Sequence, residues 1–258
     1  MDALQAAGIE TPRLDAELLL AEATGSDRAA LLVDAEVPAS AGRRFGEMVR
    51  RRLRREPVAY ILGRKGFRNL ELAVDPRVLV PRPETELLVE LALELQPASV
   101  LDVGTGSGAI ALAVADELPA CEVAATDTSS GALEVARANA DGLGLAGRVR
   151  FHEGTLPEGG RFDLVLANLP YVAERDWPGL QPEVTRWEPR EALLAGSDGL
   201  DAIRAVLPAL RAATVALEIG AAQANAVSEL LEAAGYGGVE ARRDLAGIER
   251  VVLGRRAA

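Results

Sequence analysis

From residue 98 onward, short apolar runs alternate with amphipathic stretches. Apolar runs of about four to eight residues are typical of buried strands, whereas apolar residues spaced three and four apart are typical of helices. The runs predict strands at 99–103, 122–127, 149–153, 162–167, 214–219, 239–243 and 249–253, and the stretches between them predict helices at 109–118, 129–141, 199–212 and 222–234. This alternation predicts an α/β fold, a doubly wound, mostly parallel seven-stranded sheet with helices on both faces.

The beginning of the chain follows a helical pattern instead. Pro12 can occupy the first position of a helix that ends at Gly25, and a further amphipathic stretch runs from about residue 40 to the stop at Pro57. Glycine and proline then punctuate two apolar segments, 70–72 and 78–80, which we expect to pair as a hairpin. We therefore predict an N-terminal helical domain at 1–62, a β-hairpin linker at 63–82 and the α/β domain at 83–258.

Composition narrows the class of protein. Hydrophobic residues make up 49% of the chain, enough for a packed core, and 28 basic against 39 acidic residues give a net charge of −11, which disfavours direct binding of nucleic acid. The single cysteine, Cys121, has no partner for an internal disulfide, and the single histidine, His152, leaves histidine-based metal sites almost without ligands. We find neither a signal peptide nor an apolar run of about 20 residues, so we expect a cytoplasmic protein with no membrane contact. Because of the single histidine, we also expect no metal site.

A glycine-rich turn follows the first predicted strand of the sheet. Residues 104–108 read Gly-Thr-Gly-Ser-Gly, and glycines let the backbone approach a ligand without Cβ clashes. Asp102 would be costly at a buried strand end without donors, such as a ligand ammonium group or water. Asp127, at the end of the next strand, can accept both hydroxyls of a ribose, or simply cap the following helix. Together these residues predict a site for a nucleoside that carries a charged amino-acid tail. S-adenosylmethionine fits that description better than NAD because nothing in the pattern requires a pyrophosphate.

The stretch Asn168-Leu169-Pro170-Tyr171 follows the fourth predicted strand of the sheet. Taken alone, it could be an ordinary turn. The Asn168 side chain and a backbone carbonyl near Pro170 nevertheless offer two acceptors, and the Tyr171 ring offers a flat wall, which suits a planar amino group. Ligands of a doubly wound sheet lie outside the carboxyl ends of its strands, so this stretch, the glycine turn and Asp127 face one crevice. A methyl donor beside an amino-group clamp predicts a methyltransferase that acts on nitrogen.

Two further segments have both a plain and a functional interpretation. Residues 81–86, Pro-Arg-Pro-Glu-Thr-Glu, make a well-formed helix start, and Glu84 and Thr85 are also candidates for lid contacts over a cofactor. Residues 50–55, Arg-Arg-Arg-Leu-Arg-Arg, are most simply a solvated helix face. The alternative is a docking patch for an acidic partner or for RNA phosphates.

These motifs, in this order, closely resemble the bacterial glutamine N5-methyltransferases that modify peptide chain release factors. The resemblance covers nearly the whole chain and rests on residues 82–86, 102–108, 168–171, 188–189, 195–200, 244–247 and 249–250. The glycine turn is shared with most methyltransferases, whereas residues 81–86 and the stretch 188–200 are much more specific. The resemblance implies methyl transfer from S-adenosylmethionine to the glutamine amide of the Gly-Gly-Gln motif that release factors present.

The resemblance also implies roles for individual residues. The N-terminal domain would recognise the protein substrate. The glutamine amide would be bound by Asn168, Leu169, Pro170 and Tyr171, of which Asn168, Pro170 and Tyr171 would be catalytic. The cofactor would be bound by Pro83, Glu84, Thr85, Asp102, Gly104, Thr105, Gly106, Ser107, Gly108, Asp127, Thr128, Thr155, Leu156 and Asn168.

Two positions depart from the family pattern. Leu169 replaces the first proline of Asn-Pro-Pro-Tyr, which removes a fixed φ and makes the turn less preorganised. Thr155-Leu156-Pro157 stands where the family commonly has an aspartate and an aromatic residue near the adenine, so we expect weaker cofactor affinity. The departures leave two alternatives. One is an adenine-N6 methyltransferase of ribosomal RNA or DNA, where Asn-Leu-Pro-Tyr is familiar; the other is a cofactor-binding homologue with weak or no catalysis.

Overall fold

The structure is a computed structural model that describes residues 1–31, 39–157 and 160–256. The chain divides into two compact units. The first consists of Met1–Arg64 and Leu180–Glu188, and the second of Lys65–Gly179 and Pro189–Ala258. The sequence assigns residues 180–188 to the α/β domain, whereas here they group with the N-terminal helices. The predicted domain limits themselves stay a prediction.

The helices and strands are numbered in chain order. The helices are α1 (Asp2–Ala6), α2 (Pro12–Thr24), α3 (Arg28–Leu31), α4 (Ala39–Leu53), α5 (Val58–Leu62), α6 (Glu86–Leu95), α7 (Ala109–Glu117), α8 (Ser130–Gly142), α9 (Pro182–Trp187), α10 (Asp201–Val206) and α11 (Ala224–Ala233). The strands are β1 (Arg64–Phe67), β2 (Leu70–Ala73), β3 (Ser99–Val103), β4 (Glu122–Asp127), β5 (Val149–Glu153), β6 (Phe162–Ala167), β7 (Ala212–Glu218), β8 (Gly237–Arg243) and β9 (Glu249–Arg255). Within the described ranges, none of these helices combines the length and the apolar character needed to cross a membrane.

In the first unit, α2, α4 and α5 enclose a small apolar core. Leu19, Met48 and Ile61, one from each helix, are buried in it. As predicted, α2 begins with Pro12 at its first position and ends at Gly25, whose φ of 69° gives the left-handed conformation common after a helix.

The arginine run of α4 is partly buried within the first unit. Arg52 is only 5% exposed and contacts Asp15 at 2.6 Å and Glu183 at 2.7 Å, while Arg55 contacts Glu183 at 2.6 Å. Burial raises the pKa of Glu183, but hydrogen bonds from Arg55 and Arg52 outweigh this and leave the pKa below its usual value. These arginines are therefore internal links between the N-terminal helices and α9, which neither interpretation of the run anticipated.

In the second unit, seven of the described strands form one sheet in the order β5-β4-β3-β6-β7-β9-β8. The first five are parallel, and β9 pairs antiparallel with both β7 and β8. Successive residues of β3 enter different apolar cores, because side chains alternate between the faces of a sheet. Val100 lies in the core that contains α7, and Leu101 lies in the core that contains α11. The predicted doubly wound, mostly parallel seven-stranded sheet with a small N-terminal helical domain is confirmed.

Two local predictions are wrong. Residues 70–72 do not pair with 78–80; instead β2 pairs with β1 across a tight turn in which Arg68 has a φ of 51°. Residues 199–212 are not one helix, because α10 passes into a 3-10 turn that contains Pro208, and the chain enters β7 at Ala212. Proline has no backbone N–H to continue a helix.

We expect Glu183→Ala to destabilise the first unit. The substitution deprives Arg55 and Arg52 of a shared carboxylate, and removing one partner of a buried ion pair costs about 3 kcal/mol or more. Amide hydrogen exchange along α2 and α4 of the full chain measures the loss as faster exchange.

Glu47→Ala is the matched control for this experiment, because Glu47 is an exposed carboxylate on α4. If the amides of α2 and α4 exchanged equally slowly in Glu183→Ala and in Glu47→Ala, a stabilising role for the ion pairs of Glu183 would be contradicted.

Candidate functional site

The parallel register brings three strand ends to one place. Val103, the last residue of β3, pairs with Thr126 of β4 on one side and with Ala167 of β6 on the other. Asp127 and Asn168 come directly after these partners, and the glycine turn comes directly after Val103. The three features singled out in the sequence therefore lie side by side at the carboxyl edge of the sheet, as expected.

Backbone hydrogen bonds hold the glycine turn against β4. Gly104 N donates to Thr126 O at 2.9 Å, and Gly106 N donates to the Asp127 carboxylate at 2.9 Å. Gly104 has a φ of 75°, and a Cβ there would lie 3.4 Å from Leu169 Cδ2. Glycine at 104 thus serves the left-handed backbone, whereas a Cβ there would make only ordinary contact with Leu169.

Asp127 contributes to the turn through both carboxylate oxygens. Oδ2 accepts from Gly106 N, and Oδ1 accepts from Ser129 N at 2.9 Å. The helix α8 is capped by Ser129 itself, whose hydroxyl accepts from Ala132 N at 3.2 Å. A carboxylate has about four acceptor positions, so Asp127 keeps acceptor capacity for a ligand.

Asp102 is fully buried behind the turn. Its Oδ2 accepts from the Thr105 hydroxyl at 2.6 Å and from Ala111 N at 3.2 Å, so the protein itself supplies the donors that were expected from a ligand or water. Its Oδ1 has no hydrogen bond from any of the described residues. Burial raises the pKa of Asp102 to about 7, and the charge of Asp127 acts in the same direction.

A cavity of about 280 Å³ lies at this edge of the sheet, near the lower end of the ~300–1,000 Å³ typical of small-molecule sites. The predicted site residues in its wall are Thr85, Gly104, Thr105, Gly106, Ser107, Asp127, Thr128, Thr155, Asn168, Leu169 and Pro170. The predicted residues outside its wall are Pro83, Glu84, Asp102, Gly108, Leu156 and Tyr171. The functional role assigned to each of these residues stays a prediction.

The loop after β5 turns one of its two predicted contact residues away from the cavity. Thr155 lines the cavity, and its carbonyl accepts from the Thr126 hydroxyl at 3.0 Å. Leu156 instead lines a second cavity with Leu101 and Phe162. The apolar side chain of Leu156 packs toward the core because its neighbours there are apolar.

Thr85 anchors Asn168. The Asn168 side-chain nitrogen donates to the Thr85 hydroxyl at 3.0 Å. None of the described residues donates to Asn168 Oδ1, so this oxygen can accept from a ligand. Thr85 is only 4% exposed, so it supports the site from beneath more than it covers a ligand as a lid. Leu169, the departure from the family pattern, is 7% exposed and belongs to an apolar core of the sheet.

Two residues that have no predicted role, Gln223 and Gly199, hold the backbone at Tyr171. Gln223 Nε2 donates to Tyr171 O at 3.1 Å, and Gln223 Oε1 accepts from Gly220 N at 2.8 Å. Gly199 has a φ of 80°, and a Cβ there would lie 2.3 Å from Tyr171 O. The segment 195–200 had been noticed only through the family resemblance, and its contact with the Tyr171 loop gives it a physical role.

Glu218 was also missed, although a lone acidic residue in the apolar run of β7 was a possible signal. It is 2% exposed at the end of the strand, and burial raises its pKa to about 7. The Tyr171 hydroxyl lies 3.5 Å from Glu218 Oε1, and burial together with the Glu218 charge raises the pKa of Tyr171 to about 12. Tyr171 therefore stays protonated and is a neutral aromatic group.

Comparison with known proteins places the chain among related sequences. Residues 1–63 match the family PrmC N-terminal domain, and residues 100–187 match the family Methyltransferase domain. The chain is 42% identical over 260 residues to the release factor glutamine methyltransferase of Geobacter sulfurreducens, covering 96% of this chain and 91% of that protein. It is 45% identical over 266 residues to the protein of the same name from Xylella fastidiosa, covering 98% of this chain and 96% of the relative.

A solved structure has a similar fold. The hMettl16 catalytic domain, in complex with a MAT2A 3'UTR hairpin, aligns with a TM-score of 0.63 over 78% of this chain and 80% of that one, at 14% identity. At that identity the likeness concerns the fold alone. The family resemblance drawn from the motifs is confirmed by the relatives that match almost the whole length. The chain belongs to the release factor glutamine methyltransferase family.

Proposed function

We propose that this protein transfers a methyl group from S-adenosylmethionine to the side-chain nitrogen N5 of the glutamine in the Gly-Gly-Gln motif of peptide chain release factors. The observation that carries the proposal is the identity of 42% and 45%, over nearly the whole chain, with relatives named for this activity. The position of Asn168 in the wall of a cavity that the glycine turn and Asp127 also line supports it.

The residues around the cavity fit S-adenosylmethionine. Gly104 and Gly106 present bare backbone to the cavity, and Asp127 retains acceptor capacity for ribose hydroxyls. Asp102, when ionised, places negative charge behind the turn, which favours a positively charged amino-acid tail. Bound there, S-adenosylmethionine supplies a methyl group on a positively charged sulfur, which a nitrogen can attack.

The loop after β6 offers the acceptors that an amide substrate requires. Asn168 directs its nitrogen to Thr85 and keeps Oδ1 available. Gln223 donates a hydrogen bond to the Tyr171 carbonyl, whereas none of the described residues donates to the carbonyls of Leu169 and Pro170. Asn168 Oδ1 and one of these two carbonyls would each accept one N–H of the glutamine amide.

This pair of acceptors addresses the weak nucleophilicity of an amide, whose nitrogen lone pair is delocalised. Two hydrogen bonds orient the nitrogen toward the methyl group and resist its rotation. They also strengthen as the nitrogen gains positive charge, so they stabilise the transition state more than the bound substrate. A bond forms between the nitrogen and the methyl group as the bond from the methyl group to the sulfur breaks, and the methylated nitrogen then releases one proton to water.

The remaining parts of the proposal concern the partner and its location. We assign substrate recognition to the N-terminal helical domain, residues 1–62, and a cytoplasmic location, because release factors act in translation. We do not assign RNA binding to the arginine run, since Arg52 and Arg55 are engaged by carboxylates of the protein itself.

We expect a release factor to gain one methyl group on its Gly-Gly-Gln glutamine after incubation with the protein and S-adenosylmethionine. Mass spectrometry of the peptide that contains the motif measures the product. A release factor with alanine in place of that glutamine is the control. Methyl transfer to ribosomal RNA in place of the release factor would support the adenine alternative, and cofactor binding without any transfer would support the non-catalytic alternative.

We expect Asn168→Ala to lower kcat by about 100-fold or more, the magnitude seen when one preorganised acceptor or donor is lost from a transition state. The dissociation constant of S-adenosylmethionine, measured by calorimetry, remains close to that of the parent. Asn225→Ala is the control, because Asn225 is exposed on α11. Near-normal turnover of Asn168→Ala would rule out the amide clamp.

We expect Asp127→Ala chiefly to weaken binding of S-adenosylmethionine, by about tenfold or more, because hydrogen bonds to a charged group contribute about 1.5–3 kcal/mol. Titration calorimetry measures the dissociation constant. Asp141→Ala is the control, since Asp141 is an exposed carboxylate at the end of α8. An unchanged dissociation constant would count against the ribose role of Asp127.

A further inference from the structure

Thr85 lies between Asn168 and the buried carboxylate of Glu218, which has no direct part in the proposed methyl transfer. The Asn168 side-chain nitrogen donates to the Thr85 hydroxyl at 3.0 Å. The Glu218 carboxylate lies close enough to that hydroxyl for a hydrogen bond from Thr85 to lower the pKa of Glu218. Both Thr85 and Glu218 are almost completely buried. The three side chains come from the turn before α6, the loop after β6 and the end of β7, so only the tertiary fold brings them together.

The direction of this hydrogen-bond chain follows from the chemistry of its members. An ionised carboxylate only accepts, so Thr85 donates its single hydroxyl proton to Glu218. The Thr85 oxygen can then only accept, and the group that donates to it is the Asn168 nitrogen. Asn168 is thereby held with Oδ1 pointing away from Thr85. The opposite orientation of the amide would present N–H groups to the N–H groups of the substrate.

The charge of Glu218 depends on its surroundings. Burial raises its pKa to about 7, while the hydrogen bond from Thr85 opposes the rise. The charge of Glu84 raises the pKa further, and Arg250 and the hydroxyl of Tyr171 lower it. One carboxylate oxygen, Oε2, receives no hydrogen bond from the described residues. A carboxyl group in this environment changes its charge close to neutral pH.

We propose that Glu218, acting through Thr85, is a positioning residue that holds the Asn168 amide with its oxygen toward the substrate nitrogen. This inference rests on the proposed function and extends it to a residue that does not touch the substrate. The negative charge of Glu218 also polarises the Asn168 amide through two hydrogen bonds, which makes Oδ1 a stronger acceptor as the substrate nitrogen gains positive charge. The ionised form of Glu218 is therefore the active one.

Three substitutions in the full chain test the proposal. Thr85→Val keeps the shape of the side chain and removes the hydroxyl, Thr85→Ser keeps the hydroxyl, and Glu218→Gln keeps the shape and removes the charge. We expect Thr85→Val and Glu218→Gln to lower kcat by about 10- to 100-fold, as small displacements of a catalytic group do. We expect an unchanged dissociation constant for S-adenosylmethionine in Glu218→Gln, because Glu218 does not line the cavity, and restored kcat in Thr85→Ser relative to Thr85→Val. Thr214→Val, at the other end of β7, is the matched control.

The pH dependence separates positioning from a merely structural role. At saturating cofactor and release factor, we expect kcat of the parent protein to rise as pH rises through about 7. The reason is that the ionised carboxylate of Glu218 accepts the hydrogen bond from the Thr85 hydroxyl. Glu218→Gln cannot ionise, so its kcat loses this step. A Thr85→Val variant with the kcat of the parent, or a Glu218→Gln variant that keeps the step, would overturn the proposal.

A second readout does not depend on catalysis. The chain has four asparagines, Asn69, Asn139, Asn168 and Asn225, so ¹⁵N-asparagine labelling gives few side-chain amide signals, and Asn168→Ala identifies the relevant one. We expect the Asn168 signal to shift with a midpoint near pH 7 in the parent and to lose that shift in Glu218→Gln and Thr85→Val. If the chemical shift of the Asn168 amide changed neither with pH nor with either substitution, the hydrogen-bond chain would be overturned. A parent protein that binds cofactor but methylates no release factor would overturn the proposed function, and the NMR titration would still decide the link between Glu218 and Asn168.

Discussion

The parallel pairing of β3 with β4 and β6 is the constraint on which the candidate site depends. Val103 pairs with Thr126 and with Ala167, so the glycine turn, Asp127 and Asn168 leave the sheet next to one another. Hydrogen bonds of the ladder set this alignment, and both apolar cores hold the strands in register. The residues proposed to bind a methyl donor and an amide acceptor therefore meet at one edge, although they are far apart in the chain.

The strand ends alone do not determine how the loop after β6 is held. Gln223 and Gly199 fix the backbone at Tyr171, and Thr85 fixes the side chain of Asn168. Leu169 adds a restraint of another kind, because its side chain is buried against the space left by Gly104. Full burial of a leucine contributes about 1.5–3 kcal/mol, so packing can order a turn in which the family more often has a proline of fixed φ.

Charged side chains in the first unit form internal ion pairs, which cannot be recognised from the composition of the chain. A run of arginines in an acidic protein invites a search for an external partner, yet Arg52 and Arg55 bind Glu183 of α9. Two guanidinium groups on one buried carboxylate, of which that of Arg52 is itself buried, require good geometry to offset their desolvation. Such an arrangement specifies where residues 180–188 lie within that unit.

The sequence by itself determined the order of the strands from Ser99 onward, most of the helices between them, the fold class and the family, because periodicity and glycine punctuation are local signals. It also located the glycine turn, Asp127 and Asn168, since residues that follow buried strands can be read from the chain. Only the tertiary structure decided that Thr85 joins Asn168 to Glu218, that Gln223 holds the Tyr171 loop, and that Leu156 faces a different cavity. Each of these depends on contacts between segments distant in sequence. Local pattern carries no information on such contacts, because burial and hydrogen bonding are properties of the packed chain.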